Sequence, residues 1–166
     1  MKNFLVFFAL PYLLVTSCNS ENETLTLFSA LRPSETNIYF QNKLTEGPNT
    51  NVLLYEYFYN GAGVALADFN GDKLLDIYFT SNMEENKMYL NRGDFKFEDI
   101  SKISKTQGRS GPWKTGVTAV DINGDQRMDL YVCYSGMLKE EKRRNQLFLN
   151  MGNNEEGIPQ FTEVAK

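Results

Sequence analysis

Short runs of β-branched and aromatic residues alternate with clusters of Gly, Asn and Asp along most of the chain. No segment has the 3.6-residue apolar period of an amphipathic helix. In the first half this pattern predicts strands at 63–67, 76–80, 88–90 and 97–100, separated by turns such as NGDK and NRGD. The charged stretch 138–146 interrupts the second half, where a helical turn and a solvated loop insertion are the alternatives, and we predict the loop insertion.

The same succession of blocks occurs twice. The segment GVALADFNGDKLLDIYF, which begins at Gly63, aligns without gaps with GVTAVDINGDQRMDLYV, which begins at Gly116. Downstream, NKMYLN matches NQLFLN and KFEDIS matches QFTEVA. Four short strands repeated about every fifty residues are typical of propeller blades. We therefore predict an all-β fold with two four-stranded antiparallel blades of a β-propeller.

The N-terminal segment has the pattern of an export signal. One Lys precedes an apolar run at 4–15, which is too short to cross a bilayer comfortably but suits a secretory signal. The run ends in Val-Thr-Ser-Cys, which resembles a bacterial lipobox, so we predict cleavage before Cys18 and its lipidation. Several acyl chains would then anchor the protein to a membrane of the cell envelope, the outer membrane being expected. A plain secretory signal and a poorly inserted membrane helix are the alternatives.

The predicted organisation has five parts: a signal peptide at 1–17, a polar tether at 18–27, a leading strand segment at 28–62, and repeats at 63–110 and 111–166. Closed propellers have about four to eight blades. Two blades make an incomplete ring, and we expect the sequence to be the N-terminal part of a longer gene product.

Each repeat carries an acidic loop between its first two strands. Oxygen-bearing side chains fall at positions 1, 3, 5 and 9 of both loops. They are Asp68, Asn70, Asp72 and Asp76 in the first loop, and Asp121, Asn123, Asp125 and Asp129 in the second. Hard oxygen donors at this density suit calcium, which takes six to eight oxygen ligands. The backbone carbonyl of position 7, Leu74 or Arg127, is the natural additional ligand.

An EF-hand and an ordinary polar turn are the two alternative interpretations of these loops. An EF-hand needs a Glu at position 12, where this chain has Phe79 and Val132, and it needs flanking helices rather than strands. An ordinary polar turn, in which Asp and Asn cap local backbone groups, explains one such loop as well as calcium does. The recurrence of all four positions favours calcium.

Strand, D-x-N-G-D-x-x-x-D, strand is similar to the FG-GAP or VCBS repeat of integrin-α-like propellers. The segments YFYNGAGVALADFNGDKLLDIYFTSN and RRNQLFLN resemble, more specifically, bacterial lipoproteins related to cartilage acidic protein and to ASPIC/UnbV proteins. The resemblance implies calcium at the eight side chains above. Position 6 departs from it, because Lys73 and Gln126 replace the usual glycine, so we expect weaker binding or a modified turn.

The amino-acid composition argues against several classes of function. The chain has no histidine, which removes histidine-based catalysis and metal sites. Its net charge of −4 and the absence of a long basic run argue against nucleic acid as a partner. The leading hypothesis is a non-enzymatic, calcium-stabilised binding or scaffold module with an extracellular protein or polysaccharide ligand. The alternative is part of a propeller enzyme that acts on polysaccharide, because paired carboxylates also hydrolyse glycosides.

Overall fold

The chain forms two separate four-stranded sheets. The computed structural model describes residues 27–111, 113–136 and 139–165, so the predicted signal peptide and Cys18 lie outside the described residues. The strands of the first sheet are β1 (Val64–Ala67), β2 (Asp76–Phe79), β3 (Lys87–Asn91) and β4 (Phe97–Asp99). Those of the second are β5 (Lys114–Val120), β6 (Asp129–Tyr134), β7 (Gln146–Asn153) and β8 (Pro159–Glu163).

Each sheet is an antiparallel meander in which chain neighbours pair, in the orders β1-β2-β3-β4 and β5-β6-β7-β8. The predicted all-β fold with two four-stranded blades is confirmed, and the strands of the first sheet follow the predicted bounds to within one residue. The second sheet departs from regular pairing between Lys114 and Gly116 and between Asn150 and Asn153. Its strands are also longer than those of the first sheet.

Alternation along the strands places one set of side chains between the sheets. In β1, Ala65 and Ala67 are buried while Val64 and Leu66 are exposed. One continuous core contains residues of both sheets. Its buried members are Ala65, Ala67, Phe69, Tyr78, Met88, Leu90, Ile100, Leu130, Val132, Tyr134, Phe148, Ile158 and Phe161. The two sheets therefore fold against each other and form one hydrophobic core.

Two single-turn helices accompany the sheets. The helix α1 (Pro33–Thr36) begins with proline, whose fixed φ suits a first turn, and Glu35 accepts a hydrogen bond from the backbone N–H of Arg32. The helix α2 (Glu140–Arg143) lies within the stretch predicted as a loop insertion, and here the alternative, a helical turn, is the one that forms. Its acidic residues come first and its basic residues last, which suits the helix dipole. No helix in the described ranges has the length and apolar character needed to cross a bilayer.

The leading segment lies against the first sheet. The ring of Phe40 stacks on that of Phe79, with centroids 4.6 Å apart. Asn42 donates to Asn82 Oδ1 at 2.7 Å and accepts the Asn82 backbone N–H at 2.9 Å. These contacts cover the part of the sheet near β2 and β3 and leave the β1 side open.

A glycine immediately before β1 lies very close to the backbone of β5. A Cβ on Gly63 would lie 2.8 Å from the backbone nitrogen of Val117 and 3.0 Å from the Cα of Gly116. These are backbone atoms, which cannot move aside as a flexible side chain does. The absence of a side chain at Gly63 therefore sets the distance between β1 and β5.

We expect Gly63→Ala to separate the sheets and to lower the free energy of unfolding by about 1–3 kcal/mol, the usual cost of overpacking. Gly116→Ala, at the equivalent position of the second repeat, is the matched control, because its Cβ meets only the Cβ of Cys133 at an ordinary 3.8 Å. Urea unfolding measures both changes. Equal losses of stability in the two variants would contradict the close-approach account.

Candidate calcium loops

The two acidic loops occupy equivalent places in the two sheets. Residues 68–75 join β1 to β2, and residues 121–128 join β5 to β6. The same eight hydrogen bonds involve the Asp and Asn side chains of each loop. The sequence repeat is therefore a repeat of hydrogen-bond geometry as well.

Position 1 organises the turn. Asp68 Oδ1 accepts the backbone N–H groups of Gly71 and Asp72 at 2.7 and 3.1 Å, and its Oδ2 accepts that of Lys73 at 2.7 Å. In the second loop, Asp121 makes the same three bonds at 2.8, 3.1 and 2.8 Å. One carboxylate thus satisfies three consecutive amides that no strand partner reaches.

The side chains at positions 3 and 5 form hydrogen bonds within the turn. Asn70 accepts the Asp72 backbone N–H at 3.1 Å and donates its side-chain N–H to Asp72 Oδ2 at 2.9 Å. Asp72 Oδ1 accepts the Leu74 backbone N–H at 2.8 Å. Asn123 and Asp125 repeat this arrangement in the second loop. The capping interactions expected of a polar turn are therefore present in both loops.

Position 6 adopts the left-handed backbone conformation that glycine favours, although neither residue is glycine. The φ angle is 71° at Lys73 and 67° at Gln126, beside 82° at Gly71 and 76° at Gly124. A left-handed conformation costs a residue with a side chain about 1–2 kcal/mol. Replacement of the usual glycine by Lys73 and Gln126 therefore leaves the backbone conformation of the turn the same in both loops, but it adds backbone strain at position 6.

Position 9 is the buried end of each loop. Asp76 has no exposed surface, and it accepts the backbone N–H of Phe69 at 2.9 Å and that of Asn91 at 2.8 Å. Burial raises the pKa of Asp76 to about 6, and the negative charges of Asp72 and Asp68 add to the rise. The amides of Asn91 and Phe69 act in the opposite direction. Asp129 is equally buried and accepts the backbone N–H groups of Ile122 and Asn150.

The second loop contains a cation of its own. The Arg127 guanidinium contacts Asp125 Oδ2 at 2.5 Å and donates from Nε to the Asn150 carbonyl at 2.9 Å. The pKa of Asp125 is lowered, first by the hydrogen bond from the Arg127 backbone N–H. From the sequence, only the backbone carbonyl of Arg127 was predicted to belong to the second calcium loop. Leu74 holds the same position in the first loop, whose basic residue is Lys73 at position 6, so the two loops have the same formal charge and differ in where the positive charge lies.

The oxygen atoms of the two loops match calcium in chemical type, but their side chains do not converge on one point. Within residues 27–111, 113–136 and 139–165, no three Asp, Glu, Cys or His side chains are gathered around a common point as a metal site requires. The carboxylates instead accept backbone amides, as described above. In donor chemistry the residues do fit calcium, because every predicted ligand atom is an oxygen. Asp72 and Asp76 accept only one hydrogen bond per carboxylate oxygen, which leaves lone pairs for an ion.

One residue that connects the two sheets, Asn150, was not predicted from the sequence. Asn150 is 1% exposed, and its side-chain N–H groups donate to the carbonyls of Phe69 at 2.8 Å and Met128 at 3.3 Å. It therefore joins the first loop to the second sheet. The repeated blocks NKMYLN and NQLFLN both end in Asn, and that recurrence was the available signal.

Two meanders packed face to face, each with an Asp-rich loop between its first two strands, define a repeat protein of propeller-blade type. Residues 68–132 match the family model of the FG-GAP-like repeat. Over 108 residues the chain is 31% identical to Cartilage acidic protein 1 of Homo sapiens. That alignment takes in 63% of this chain and 15% of the relative, so the chain spans a small part of the relative's length.

The segment 68–132 is therefore similar to the FG-GAP-like repeat, and the chain is similar to part of Cartilage acidic protein 1. FG-GAP repeats are generally non-enzymatic and suggest a binding or scaffold module.

The bridging role of Asn150 yields a stability prediction. Asn150→Ala leaves the buried carbonyl of Phe69 without its partner and should lower the free energy of unfolding by about 2–3 kcal/mol. Asn91→Ala is the matched control, since among the described residues the Asn91 side chain bonds only within its own sheet, to Leu75 and Gly93, and its loss should cost about 1 kcal/mol. Chemical denaturation of both variants checks this. The account fails if Asn91→Ala is the more damaging change.

Proposed function

We propose that this chain is a calcium-stabilised, non-enzymatic binding or scaffold module of the cell envelope. One calcium ion binds in each acidic loop, and a lipid on Cys18 anchors the module to the membrane. Its ligand is an extracellular protein or polysaccharide. The observation that carries the proposal is the occurrence of the same oxygen-rich loop, with the same hydrogen bonds, in both sheets.

The ligands of each ion are side-chain oxygens of positions 1, 3, 5 and 9 and the carbonyl of position 7. They are Asp68, Asn70, Asp72, Asp76 and Leu74 in the first loop, and Asp121, Asn123, Asp125, Asp129 and Arg127 in the second. Each set combines three carboxylates with two neutral oxygens. A divalent cation that draws the three carboxylates of a loop together offsets their mutual repulsion.

Calcium in this position acts on stability rather than on chemistry. The first loop lies beside the contact between the sheets, because Asn150 and Asn153 of the second sheet donate to the carbonyls of Phe69 and Asn70. An ion that fixes the first loop therefore also fixes the packing of one sheet on the other. Identical sites in successive repeats support a structural role, since catalytic groups usually occur once.

The aromatic segment 55–59 supports a ligand-binding role. Tyr57 and Tyr59 are 53% and 60% exposed, while Tyr55 packs against Trp113 with ring centroids 5.1 Å apart. A cavity of about 440 Å³ lies beside this segment and is also lined by Ser135. Exposed aromatic rings held by buried ones present rigid apolar surfaces with polar edges, which suit sugar rings and protein side chains alike.

We expect calcium to raise the melting temperature of the chain. Without a bidentate Glu at position 12, the expected dissociation constant is about 10⁻⁴ to 10⁻³ M, as in extracellular modules. At ten times that concentration, binding to the folded state adds about 1.4 kcal/mol per site. Magnesium should raise the melting temperature less, because it demands tight octahedral geometry. Differential scanning fluorimetry with each ion measures the difference.

Charge-removing variants separate an ion site from a capped turn. Asp72→Asn and Asp125→Asn each keep an oxygen for the local amide but lose the charge, and each should remove about half of the calcium-dependent gain. Asp94→Asn, in the turn between β3 and β4, removes an acidic charge outside both loops and should keep the full gain. If calcium stabilises none of the proteins, including the parent chain, the loops are polar turns only.

The anchor is tested separately. Cys18→Ala should abolish labelling by a radioactive fatty acid and leave an uncleaved precursor, because the lipidated thiol and the cleavage site are lost together. Cys133→Ala, which changes the other cysteine, should keep both labelling and cleavage. Unchanged labelling in Cys18→Ala would refute the lipoprotein proposal and leave a plain secretory signal.

A further inference from the structure

A cavity lies at the end of the first sheet that is remote from its acidic loop. Successive connections of an antiparallel meander alternate between its two ends, so the β2–β3 connection and the segment that follows β4 lie opposite the β1–β2 loop. These two segments, with the first residues of β3 and β5, line a cavity of about 460 Å³. A volume of this size is within the range of small-molecule binding sites.

The lining of this cavity includes Lys114, a buried amine without a counter-ion. The residue is 1% exposed, and its Nζ donates to the backbone carbonyls of Gly111 at 2.8 Å and Arg109 at 3.4 Å. Among the described residues no carboxylate lies within ion-pair distance of it. Burial lowers the pKa of Lys114 to about 8, and the more distant charge of Glu85 acts in the opposite direction. Because burial of an unpaired charge is unfavourable, an anion in the cavity would stabilise the ammonium form.

Arg109 adds a second cation to the same lining. Its guanidinium carbon lies 4.8 Å from the centroid of the Tyr134 ring, and its Nη1 donates to the backbone carbonyl of Glu141 at 3.0 Å. Both partners are neutral, and no carboxylate within residues 27–111, 113–136 and 139–165 forms an ion pair with this side chain. A third cation of the lining, Lys87, is instead paired with Asp99. Arg109 and the buried lysine are therefore the cations available to an anionic ligand.

Acidic side chains in the same lining restrict which anion fits. Glu84 and Glu85 line this cavity and, with Lys87, a neighbouring one of about 350 Å³. The carboxylate of Glu85 accepts a hydrogen bond from Gln107 Nε2 at 2.7 Å, and further lone pairs remain for hydroxyl donors. In the neighbouring cavity Tyr39 is 69% exposed and presents an aromatic ring. The lining therefore matches a ligand that combines a carboxylate with several hydroxyl groups and the flat face of a sugar ring.

We propose that this cavity binds a uronate residue of an acidic polysaccharide. The carboxylate of the sugar lies beside Lys114 and Arg109. Its hydroxyl groups donate to Glu84 and Glu85, and the next sugar of the polysaccharide lies toward Tyr39. The proposal rests on the function proposed above only in taking a polysaccharide as the ligand, and it requires no ion in either acidic loop.

An acidic peptide is the competing ligand. It also carries carboxylates, but each of its acidic side chains adds negative charge beside Glu84 and Glu85 and brings no hydroxyl donor to offset the repulsion. A uronate brings one carboxylate together with its own hydroxyl donors. The mixture of cations and carboxylates in the lining therefore favours the sugar.

Titration calorimetry of the full chain, purified in detergent, tests the ligand class with three probes. They are a glucuronate tetramer, the neutral glucose tetramer of the same linkage, and tetraglutamate. We expect the glucuronate tetramer to bind about tenfold or more tightly than either of the others, because it alone offers both carboxylates and hydroxyl groups. Equal binding of the glucose tetramer would overturn the role of the cations. Equal or tighter binding of tetraglutamate would make the ligand a protein segment and would also overturn the proposal.

Variants of the two cations locate the site. Lys114→Met and Arg109→Met each remove a charge-assisted hydrogen bond, so each should weaken binding of the glucuronate tetramer about tenfold or more and affect the glucose tetramer less. Arg109 is half-buried, so its variant keeps the test valid if thermal unfolding shows that the buried substitution disrupts the fold. Lys102→Met removes an exposed charge from the same connecting segment, lines neither cavity, and should bind like the parent.

Equal affinities of Arg109→Met and Lys102→Met for the glucuronate tetramer would place the uronate elsewhere, for example on an ion of an acidic loop, and would overturn the proposal. Absence of binding by the parent chain would do the same. Neither result bears on the calcium sites, because the melting temperature reports those independently. A rise in melting temperature with calcium but no uptake of uronate would leave the loop sites standing and refute this cavity as a ligand site.

Discussion

The aspartate that begins the second strand of each sheet is the group on which the rest of the repeat depends. Asp76 and Asp129 are fully buried, and each accepts one amide from its own loop and one from the third strand. A buried carboxylate is costly to desolvate, so its two hydrogen bonds strongly favour the one arrangement that supplies both. That arrangement fixes the loop, the start of the second strand and the end of the third strand relative to one another.

The same residues connect the loop to the neighbouring sheet. Asn150 supplies an amide to Asp129 and extends its side chain to the carbonyl of Phe69, which is itself the loop residue bound to Asp76. The two buried aspartates are thereby linked through one asparagine and one loop. A cation held by either loop would act on this linked set, which is why we assign calcium a stabilising role and place ligand recognition elsewhere on the surface.

Much of this architecture could be predicted from the sequence because its signals are local. Alternation and the NGD turns located the strands, and the recurrence of four oxygen-bearing positions located both loops. The left-handed backbone at Lys73 and Gln126 was not predicted, since Asp68 and Asp121 hold it through amides that the sequence does not reveal. The bridge from Asn150 to Phe69 and the stacking of Phe40 on Phe79 join residues far apart in the chain. Only the packing of the two sheets and of the leading segment brings these residues together.

Hydrogen bonding alone accounts for the shape of the two loops. Binding of calcium is therefore what would distinguish an ion site, which we propose for both loops, from a capped turn. Titration calorimetry of the chain with calcium tests this most directly, because it counts the sites as well as detecting them. The account predicts two ions per chain with dissociation constants of about 10⁻⁴ to 10⁻³ M. No heat of binding and no saturable uptake at millimolar calcium would contradict it.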